Sequence, residues 1–580
     1  MKSKLQTKIV LIAPPIEDFY DTDIRHQPIS LALLKASIIK YLSGLESDLK
    51  IDVVIRDYHH GYPKKTIPYP KEFLYLKKYY QERDQSPFST FNQYYRFGAD
   101  LKVIIDDLKS LNANIVGISS SFSPYHREVL ELVKEIKKHF PDVITVIGGA
   151  HVTARPLQIL KSEHDYVDFI IRGEGERAFV EFLKVVVNLE TDTLQLKMIP
   201  NLGFRDKDKK DKKDKDSIIL NPITPNFSLD EIPFANLDDL PVNKYLYQKK
   251  PLITLITSRS CPYHCSFCSI KDVFGENYRR RSVEDIFKEI KLRYQQGYLV
   301  FNFEDDNLTY NKSEFIQLCN LITNYFTIEN AGSIPMHEFM AMNGVAYFNL
   351  DKEILMYMRK AFFKHLNLSL VSSNQQILKK YHRPHNLENF KRVVDEAFEL
   401  GFEIVCYIII GLPGEEISSI LESIKLLTIS PLLIGASIFY LNPGSAIGRE
   451  TDTDLDTDTG FESRSTSLQF ETSILSRNQM HTLFIAVRII NFIKGLKIDR
   501  EKETKLSVLL TTKNYYADPR ANIGFKILDK LFSEKKMYLY NKNTLSLRDN
   551  FCILTFSKLW NEIEFVQTQS GLKVINDLMI

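Results

Sequence analysis

Ser258-Arg259-Ser260-Cys261-Pro262-Tyr263-His264-Cys265-Ser266-Phe267-Cys268 gathers three of the chain's six cysteines within eight residues. Such crowding in a long chain points to metal rather than to disulfides, which spread through small secreted proteins. Thiolates suit soft metals and iron–sulfur clusters. Three sulfurs on one short loop can hold three irons of a 4Fe–4S cube and leave the fourth without a protein ligand. An open position of that kind separates a catalytic metal site from a closed structural one. Zinc is the alternative, with His264 as fourth ligand, and it needs His264 and its neighbour Cys265 to turn onto one ion. Cys319, Cys406 and Cys552 lie in apolar surroundings and read as core residues.

The triad follows an apolar run, Leu252–Thr257, and five more such runs come after it: Leu299–Phe303, Ile334–Met340, Leu366–Val371, Ile404–Ile410 and Ile434–Tyr440. Amphipathic stretches fill the intervals at Val283–Tyr294, Lys312–Tyr325, Lys352–Lys360, Leu387–Leu400 and Glu416–Leu427. Six units predict a partial (β/α)6 barrel over 251–450, with the triad at the carboxyl end of its first strand, where barrels carry their chemistry. Upstream, strands at Ile9–Ala13, Ile51–Ile55, Ile115–Ser119, Val143–Ile147 and Phe169–Ile171 alternate with helices at Ser30–Leu42, Leu101–Leu111, Arg127–His139, Pro156–Lys161 and Glu176–Val187. That rhythm predicts a doubly wound, flavodoxin/Rossmann-like domain over 1–190, so the chain is of the α/β class.

Between the two, residues 191–250 read as a linker containing a hairpin, Asn201–Arg205 with Ile218–Leu220. Its tip is the run 206–216, six Lys against five Asp, too balanced in charge to hold a partner. Residues 451–580 form a mostly helical extension that opens on a polar run to Gly460. An insertion over 61–98 breaks the upstream rhythm with rings (Tyr62, Tyr69, Phe73, Tyr75, Tyr79, Tyr80, Phe88, Phe91, Tyr94, Tyr95) and lysines. Stacking on nucleic acid would use such residues, but a hydrophobic lid packed on its own domain is the reading adopted.

Bulk composition narrows the class. A net charge of +2 over 580 residues favours neither nucleic acid nor a membrane surface. Met1 to Gln6 are polar and Ile9–Ala13 is too short for a signal segment. The most apolar stretch, Val405–Leu412, falls well short of the roughly 20 residues that span a bilayer. A cytoplasmic protein without a membrane partner is expected.

The ends of the barrel strands carry further motifs. Phe303-Glu304-Asp305-Asp306-Asn307 ends the second, Ser372-Ser373 the fourth with Arg383 ten residues on, Ile409-Ile410-Gly411-Leu412-Pro413-Gly414-Glu415 the fifth, and Tyr440-Leu441-Asn442-Pro443-Gly444-Ser445 the sixth. With the CX3CX2C spacing and Phe267 before the last cysteine, this series resembles the radical S-adenosylmethionine (SAM) superfamily. The resemblance implies a 4Fe–4S cluster on Cys261, Cys265 and Cys268, with SAM chelating the open iron. It further implies SAM contacts from Phe267, Glu304, Asp305, Ser373, Arg383, Gly411 and Pro413. The sequence departs from the family where acidic residues replace the glycines of a Gly-Gly-Glu-like segment, and where Ser372 stands in place of a Glu. In the family, reductive cleavage of SAM yields methionine and a 5′-deoxyadenosyl radical that abstracts hydrogen from substrate.

Upstream, Pro14-Pro15 follows the first strand, Ser119-Ser120-Ser121 the third, Gly148-Gly149-Ala150-His151 the fourth and Gly173-Glu174-Gly175-Glu176 the fifth. Open sheets bind ligands outside the carboxyl ends of their strands, and these loops resemble the cobalamin-binding domain fused to many radical SAM enzymes. The resemblance implies cobalamin contacts from Pro14, Ser119, Ser120, Gly148, Gly149, His151, Gly173 and Glu174. Asp57-Tyr58-His59-His60-Gly61 departs from the Asp-x-His-x-x-Gly signature of an axial histidine, so His59 reads as an ordinary loop residue.

Together the two resemblances imply a two-cofactor enzyme that transfers methyl groups to an unactivated centre of a small molecule or peptide, drawing electrons from a flavodoxin or ferredoxin. Ring formation or rearrangement is the alternative reaction. Methylthiotransfer is disfavoured because no cysteine precedes Cys261. A non-catalytic metal- or tetrapyrrole-binding sensor is the alternative of another class.

Overall fold

Ile9, Val10, Leu11 and Ile12 are all fully buried, as an unbroken apolar run must be when helices cover both faces of a parallel sheet. Successive side chains on a strand point to opposite faces: Ile9 and Leu11 enter one core, Val10 and Ile12 the other. The strand they form, β1 (Gln6–Ala13), lies between β2 (Lys50–Asp57) and β3 (Ile115–Ser119); β4 (Ile144–Gly148) and β5 (Phe169–Ile171) continue the parallel sheet. A hairpin, β6 (Leu202–Arg205) and β7 (Ile218–Leu220), adds two antiparallel strands beyond β5, giving the order β7-β6-β5-β4-β3-β1-β2. The five parallel strands thus run 2-1-3-4-5, whose topological switch falls between β1 and β3. Helices Ile29–Leu42 and Gly175–Val186 pack on one face, Leu101–Leu111, His126–His139 and Pro156–Ser162 on the other.

The computed structural model describes residues 6–23, 26–42, 50–80, 84–163, 165–187, 193–206, 217–223, 227–329, 337–451, 460–496, 504–511 and 518–580. All but Asp206 of the charged run 206–216, and most of the polar run before Gly460, lie outside the described residues.

Strands β8 (Lys250–Leu255), β9 (Val300–Phe303) and β10 (Glu338–Met340) pair in parallel, as do β11 (His365–Val371), β12 (Glu403–Ile410) and β13 (Leu433–Ile438). Parallel bridges Phe339–Phe363 and Val345–Leu368 join the two groups into one curved six-stranded wall. Phe301, Phe303, Phe339 and Phe363 stack along the face that the helix Lys312–Glu329 covers, with the Phe301 and Phe339 rings 4.8 Å apart. The intervening helices start on side-chain caps where the sequence offers them: Ser282, Asp351 and Asn386 each accept from a backbone N–H of the first turn. The partial barrel is therefore present as expected.

The aromatic insertion differs from expectation. Its strand Tyr94–Phe97 lies between Ile16–Asp18 and Lys65–Ile67 and pairs antiparallel with both, but its rings also reach the C-terminal extension. Phe73 stacks on Phe461, and Phe91 on Phe484. The Tyr75 hydroxyl donates to Ser467 O and that of Tyr79 to Asn478 Oδ1, while Tyr80 donates to Thr466 O. Arg464, 3 % exposed, sits among Phe73, Tyr94, Tyr125 and Phe461 and pairs with Asp18 at 3.4 Å. The insertion is a clamp between the two ends of the chain: Tyr69, Phe73, Tyr80 and Tyr94 pack on Phe19, while Phe73 and Phe91 also meet the extension.

Beside this clamp lies Glu128, 4 % exposed, with no hydrogen-bond partner for either carboxylate oxygen among the described residues. Burial, reinforced by Glu17, pushes its pKa up from 4.5 to about 8. A raised acid stays protonated in the folded chain while the unfolded chain has released its proton, so its contribution to stability is present at low pH and is lost as pH climbs from 4.5 through 8. Glu128→Gln is expected to melt like the native protein near pH 5 and to be more stable by on the order of 1–3 kcal/mol above pH 8. Parallel melting curves at both pH values would refute this.

Candidate functional site

The cysteine loop leaves β8 through a clip in which Ser258 and Arg259 pair antiparallel with Arg280 and Arg279. Asp305, from the end of β9, fastens its base: Oδ1 accepts from Thr257 N at 3.1 Å, from the Thr257 hydroxyl at 2.8 Å and from the Ser258 hydroxyl. Farther along, Ser266 N donates to Tyr381 O at 3.1 Å, the Ser266 hydroxyl meets His382 Nδ1 at 2.9 Å, and Asn442 Nδ2 donates to Ser269 Oγ at 2.9 Å. None of these bonds involves sulfur, so all of them persist when the thiols are replaced.

All three cysteines line a cavity of about 630 Å³ at the barrel mouth. Asn307 Nδ2 points to Cys261 Sγ at 3.6 Å and is itself held through Asn349 to the Tyr263 hydroxyl. Arg383 Nη1 points to Cys265 Sγ at 3.9 Å while its Nη2 donates to Ser369 O at 2.6 Å. His264 turns outward, its ring nitrogens 3.1 Å from Lys271 Nζ and its side chain 68 % exposed beside Glu276. Among the described residues no three His, Cys, Asp or Glu side chains converge tightly enough to grip a single ion. A cubane asks for something different, one sulfur at each of three separate corners.

Of the residues named from sequence, Phe267 and Arg383 share that cavity with the cysteines. Asp306 and Asn307, from the motif that ends the second strand, join them, as do Asn343 and Ser369, which lie outside every motif named from sequence. Burial pushes the Asp306 pKa up to about 7, with the Asp305 charge adding to it; its Oδ2 accepts from Ser260 N at 3.0 Å. The others lie outside the lining. Glu304 faces a second cavity, 3.8 Å from His26. Asp305 is buried under the loop, Ser373 bonds Ser423 at 2.8 and 3.0 Å, and Pro413 O accepts from Lys380 and Tyr381. Gly411 adopts φ +89° against Met480.

Two cavities open at the carboxyl ends of the N-terminal sheet. One of about 330 Å³ lies over the switch point, lined by Pro14, Ser119, Ser120, His59 and, from the barrel, Thr254 and Glu304. The other, about 300 Å³, sinks beneath the glycine loops between Ile29–Leu42 and Gly175–Val186; Gly148, Gly149, Gly173 and Glu174 line it. Its far wall is Ser269, Ile270, Val273 and Phe274, the residues that follow Cys268. Ser119 and Ser121 border both. His151 reaches neither lining: it is 3 % exposed in a short helix, Ala150–Ala154, with Nδ1 2.9 Å from Ser123 Oγ, and burial holds its pKa well below the usual value. His59 does reach the switch-point cavity, and its buried Nε2 has no partner among the described residues.

Residues 255–427 match the Radical SAM superfamily profile and residues 92–183 match the B12 binding domain. The chain is a radical SAM protein with a B12-binding domain. This radical SAM protein is 26 % identical over 379 residues to the cytidylyl-2-hydroxyethylphosphonate methyltransferase of Streptomyces wedmorensis, spanning 61 % of this chain and 66 % of that relative. It is 25 % identical to the anaerobic magnesium-protoporphyrin IX monomethyl ester cyclase of Cereibacter sphaeroides, over 56 % of this chain and half of the relative's length. The matched regions thus span two thirds or less of these curated relatives. Its fold is that of the radical SAM methyltransferase TsrM from Kitasatospora setae, a structure with cobalamin and a 4Fe–4S cluster bound: TM-score 0.56 at 15 % identity, covering 77 % of this chain and 78 % of that one. Among the described residues of the radical SAM protein, no helix is long and apolar enough to cross a membrane.

The residues present fit both implied cofactors. Three thiols of one loop face a shared cavity, flanked by N–H groups directed at two of the sulfurs. Gly149, at φ +127°, lets its loop ride on Ser120, where a Cβ would stand 2.6 Å from Ser120 O, so the cradle depends on the missing side chain.

Proposed function

We propose that this radical SAM protein is a cobalamin-dependent methyltransferase acting on a small molecule or peptide. One observation carries the reading: the cavity beneath the B12-domain glycines is closed by the residues that follow Cys268, so the two cofactor sites share a wall. When bound, the cluster, SAM and the corrinoid supply the electron, the radical initiator and the methyl carrier. Cys261, Cys265 and Cys268 would hold the cluster, with Asn307 and Arg383 stabilising sulfur charge through their N–H groups. Asp306 and Arg383, opposite in charge and facing the same cavity, would orient the amino and carboxylate ends of SAM, and Phe267 would exclude water beside them. Pro14, Ser119, Ser120, Gly148, Gly149 and Gly173 would border the corrinoid; His151 and Glu174 would support that border rather than touch it. Among the SAM-side residues, Glu304, Asp305, Ser373, Gly411 and Pro413 would act by shaping the walls.

The substrate would enter where Glu304 and His26 meet the switch-point cavity. Reduction of the cluster calls for a low-potential donor such as flavodoxin or ferredoxin, which fits a cytoplasmic setting. The cyclase relative favours ring formation as a second reading.

The test is anaerobic turnover of reconstituted protein loaded with hydroxocobalamin, using methyl-labelled SAM and cell extract. Methyl transfer predicts 5′-deoxyadenosine, S-adenosylhomocysteine and a labelled product together. Deoxyadenosine with an unlabelled, ring-closed product would favour the second reading, and neither nucleoside would defeat both.

A further inference from the structure

The neck of the cysteine loop is pinned to the B12-binding half by a buried quartet of charges. Arg259 and Arg279 face each other across the clip, and both land on one carboxylate, Glu174: Arg259 Nη1 at 2.9 Å and Arg279 Nη1 at 3.2 Å. Arg259 also forks onto Glu176, with Nη1 3.3 Å from Oε2. Side-chain exposures of 5 % for Arg259, 9 % for Glu174, 8 % for Glu176 and 11 % for Arg279 leave little water to screen the pairs. Two positive and two negative groups balance there, and moving any one away strands a buried charge, which is strongly unfavourable. The quartet therefore has few alternative arrangements.

Glu174, Glu176 and Arg259 also line the cavity under the glycine loops. On the other side of the triad, Ile270 and Phe274 line it too. The Arg259 guanidinium lies 5.5 Å from the centre of the Phe274 ring, so the stretch before the cysteines touches the helix after them. The loop is thus gripped on both sides of its ligands by walls of a cavity in the other half of the protein.

We propose that Glu174 and Arg259 are positioning residues that couple occupancy of the B12-side cavity to the geometry of the cysteine loop. The inference rests on the reading that the loop holds a cluster and the cavity takes part of a corrinoid. Such coupling is reciprocal: whatever cluster assembly does to corrinoid affinity, corrinoid does to the same degree to the cluster. Glu174 acts through the arginines, which engage both its oxygens.

Equilibrium dialysis of hydroxocobalamin against the full chain, with its cluster reconstituted and without iron, measures the coupling. The two dissociation constants are expected to differ by about fivefold or more. Arg259→Lys keeps the positive charge but cannot fork between two carboxylates; both cofactors should still bind, with the ratio of constants falling to within about twofold of unity. Glu174→Gln keeps the shape and should do the same, and it carries the comparison if Arg259→Lys does not fold. Equal constants in the native protein, or an undiminished ratio in the folded variants, would overturn the proposal. Failure of both native forms to bind hydroxocobalamin would instead remove the functional reading beneath it.

Discussion

Replacing Cys261, Cys265 and Cys268 together by alanine is expected to give a folded protein that holds no iron–sulfur cluster and forms no 5′-deoxyadenosine. The folding half of this follows from what the loop leans on. Its neck is a hydrogen-bonded clip, its base is Asp305, and its middle is tied to Tyr381 and His382. The thiols themselves face a cavity, Cys261 and Cys265 half-buried and Cys268 exposed, so their loss removes little packed surface. The chemical half follows from the donor set, since no other cysteine lines that cavity. Cys319 and Cys406 are fully buried in the barrel core; Cys319→Ala and Cys406→Ala should keep the full iron content while losing roughly 1–2 kcal/mol of packing. Iron and acid-labile sulfide analysis, visible absorbance and a melting curve on each variant separate the two halves. An iron-replete triple variant, or native protein that takes up stoichiometric zinc and no iron, would contradict the assignment. A finer result should accompany it: Asn307→Leu removes an N–H directed at Cys261 Sγ and should lower the cluster's reduction potential without displacing it.

Much of the architecture was legible because its elements carry strong local periodicity. The strands Ile115–Ser119 and Phe169–Ile171 and the helices Leu101–Leu111 and Lys352–Lys360 begin and end where the apolar pattern places them. Pairing across long sequence distance left no such trace. Tyr79 reaches an acceptor 399 residues away, and nothing in the run Tyr75 to Tyr80 distinguishes a lid on its own sheet from a clamp on the far end of the chain. The site shows the same limit on a smaller scale. Glu304, Asp305 and Asp306 follow β9 in succession, yet the chain has left the strand at Phe303, and the two-residue alternation that would assign their directions no longer applies. One carboxylate faces the switch-point cavity, one the base of the cysteine loop and one the cluster-side cavity. Glu174 was visible as a loop carboxylate, but its partner Arg259 stands 85 residues on, and only the folded chain brings them together. Short glycine motifs were easier to read, because the backbone conformation itself requires them.

Gly149→Ala is expected to weaken hydroxocobalamin binding at least tenfold, about 1.4 kcal/mol or more, and to lower the melting temperature. Gly149 has φ 127° and ψ −177°, a region that residues with a Cβ essentially never occupy and that costs them about 1–3 kcal/mol. Space forbids the methyl group as well. It would stand 2.6 Å from Ser120 O, 2.7 Å from Ser120 C and 2.9 Å from Ser121 N, all backbone atoms that no side-chain rotation can withdraw. The loops must therefore separate, and the hydrogen bonds that join them, Ser120 N to Gly148 O at 2.7 Å and His151 N to Ser120 O at 3.2 Å, would stretch. Because Ser119 and Ser121 border both N-terminal cavities, that separation moves a wall of each. Gly175→Ala is the control. Gly175 lines the same cavity, but a Cβ there meets only Ile171 Cγ2 at 3.9 Å, an ordinary contact, and its backbone is not left-handed. Its variant should bind within a few-fold of the native protein, so a matched loss in both would point to general crowding of the cavity. Native affinity in Gly149→Ala would mean that the corrinoid does not depend on the close approach of these two loops, and would take the glycine pair out of the binding site.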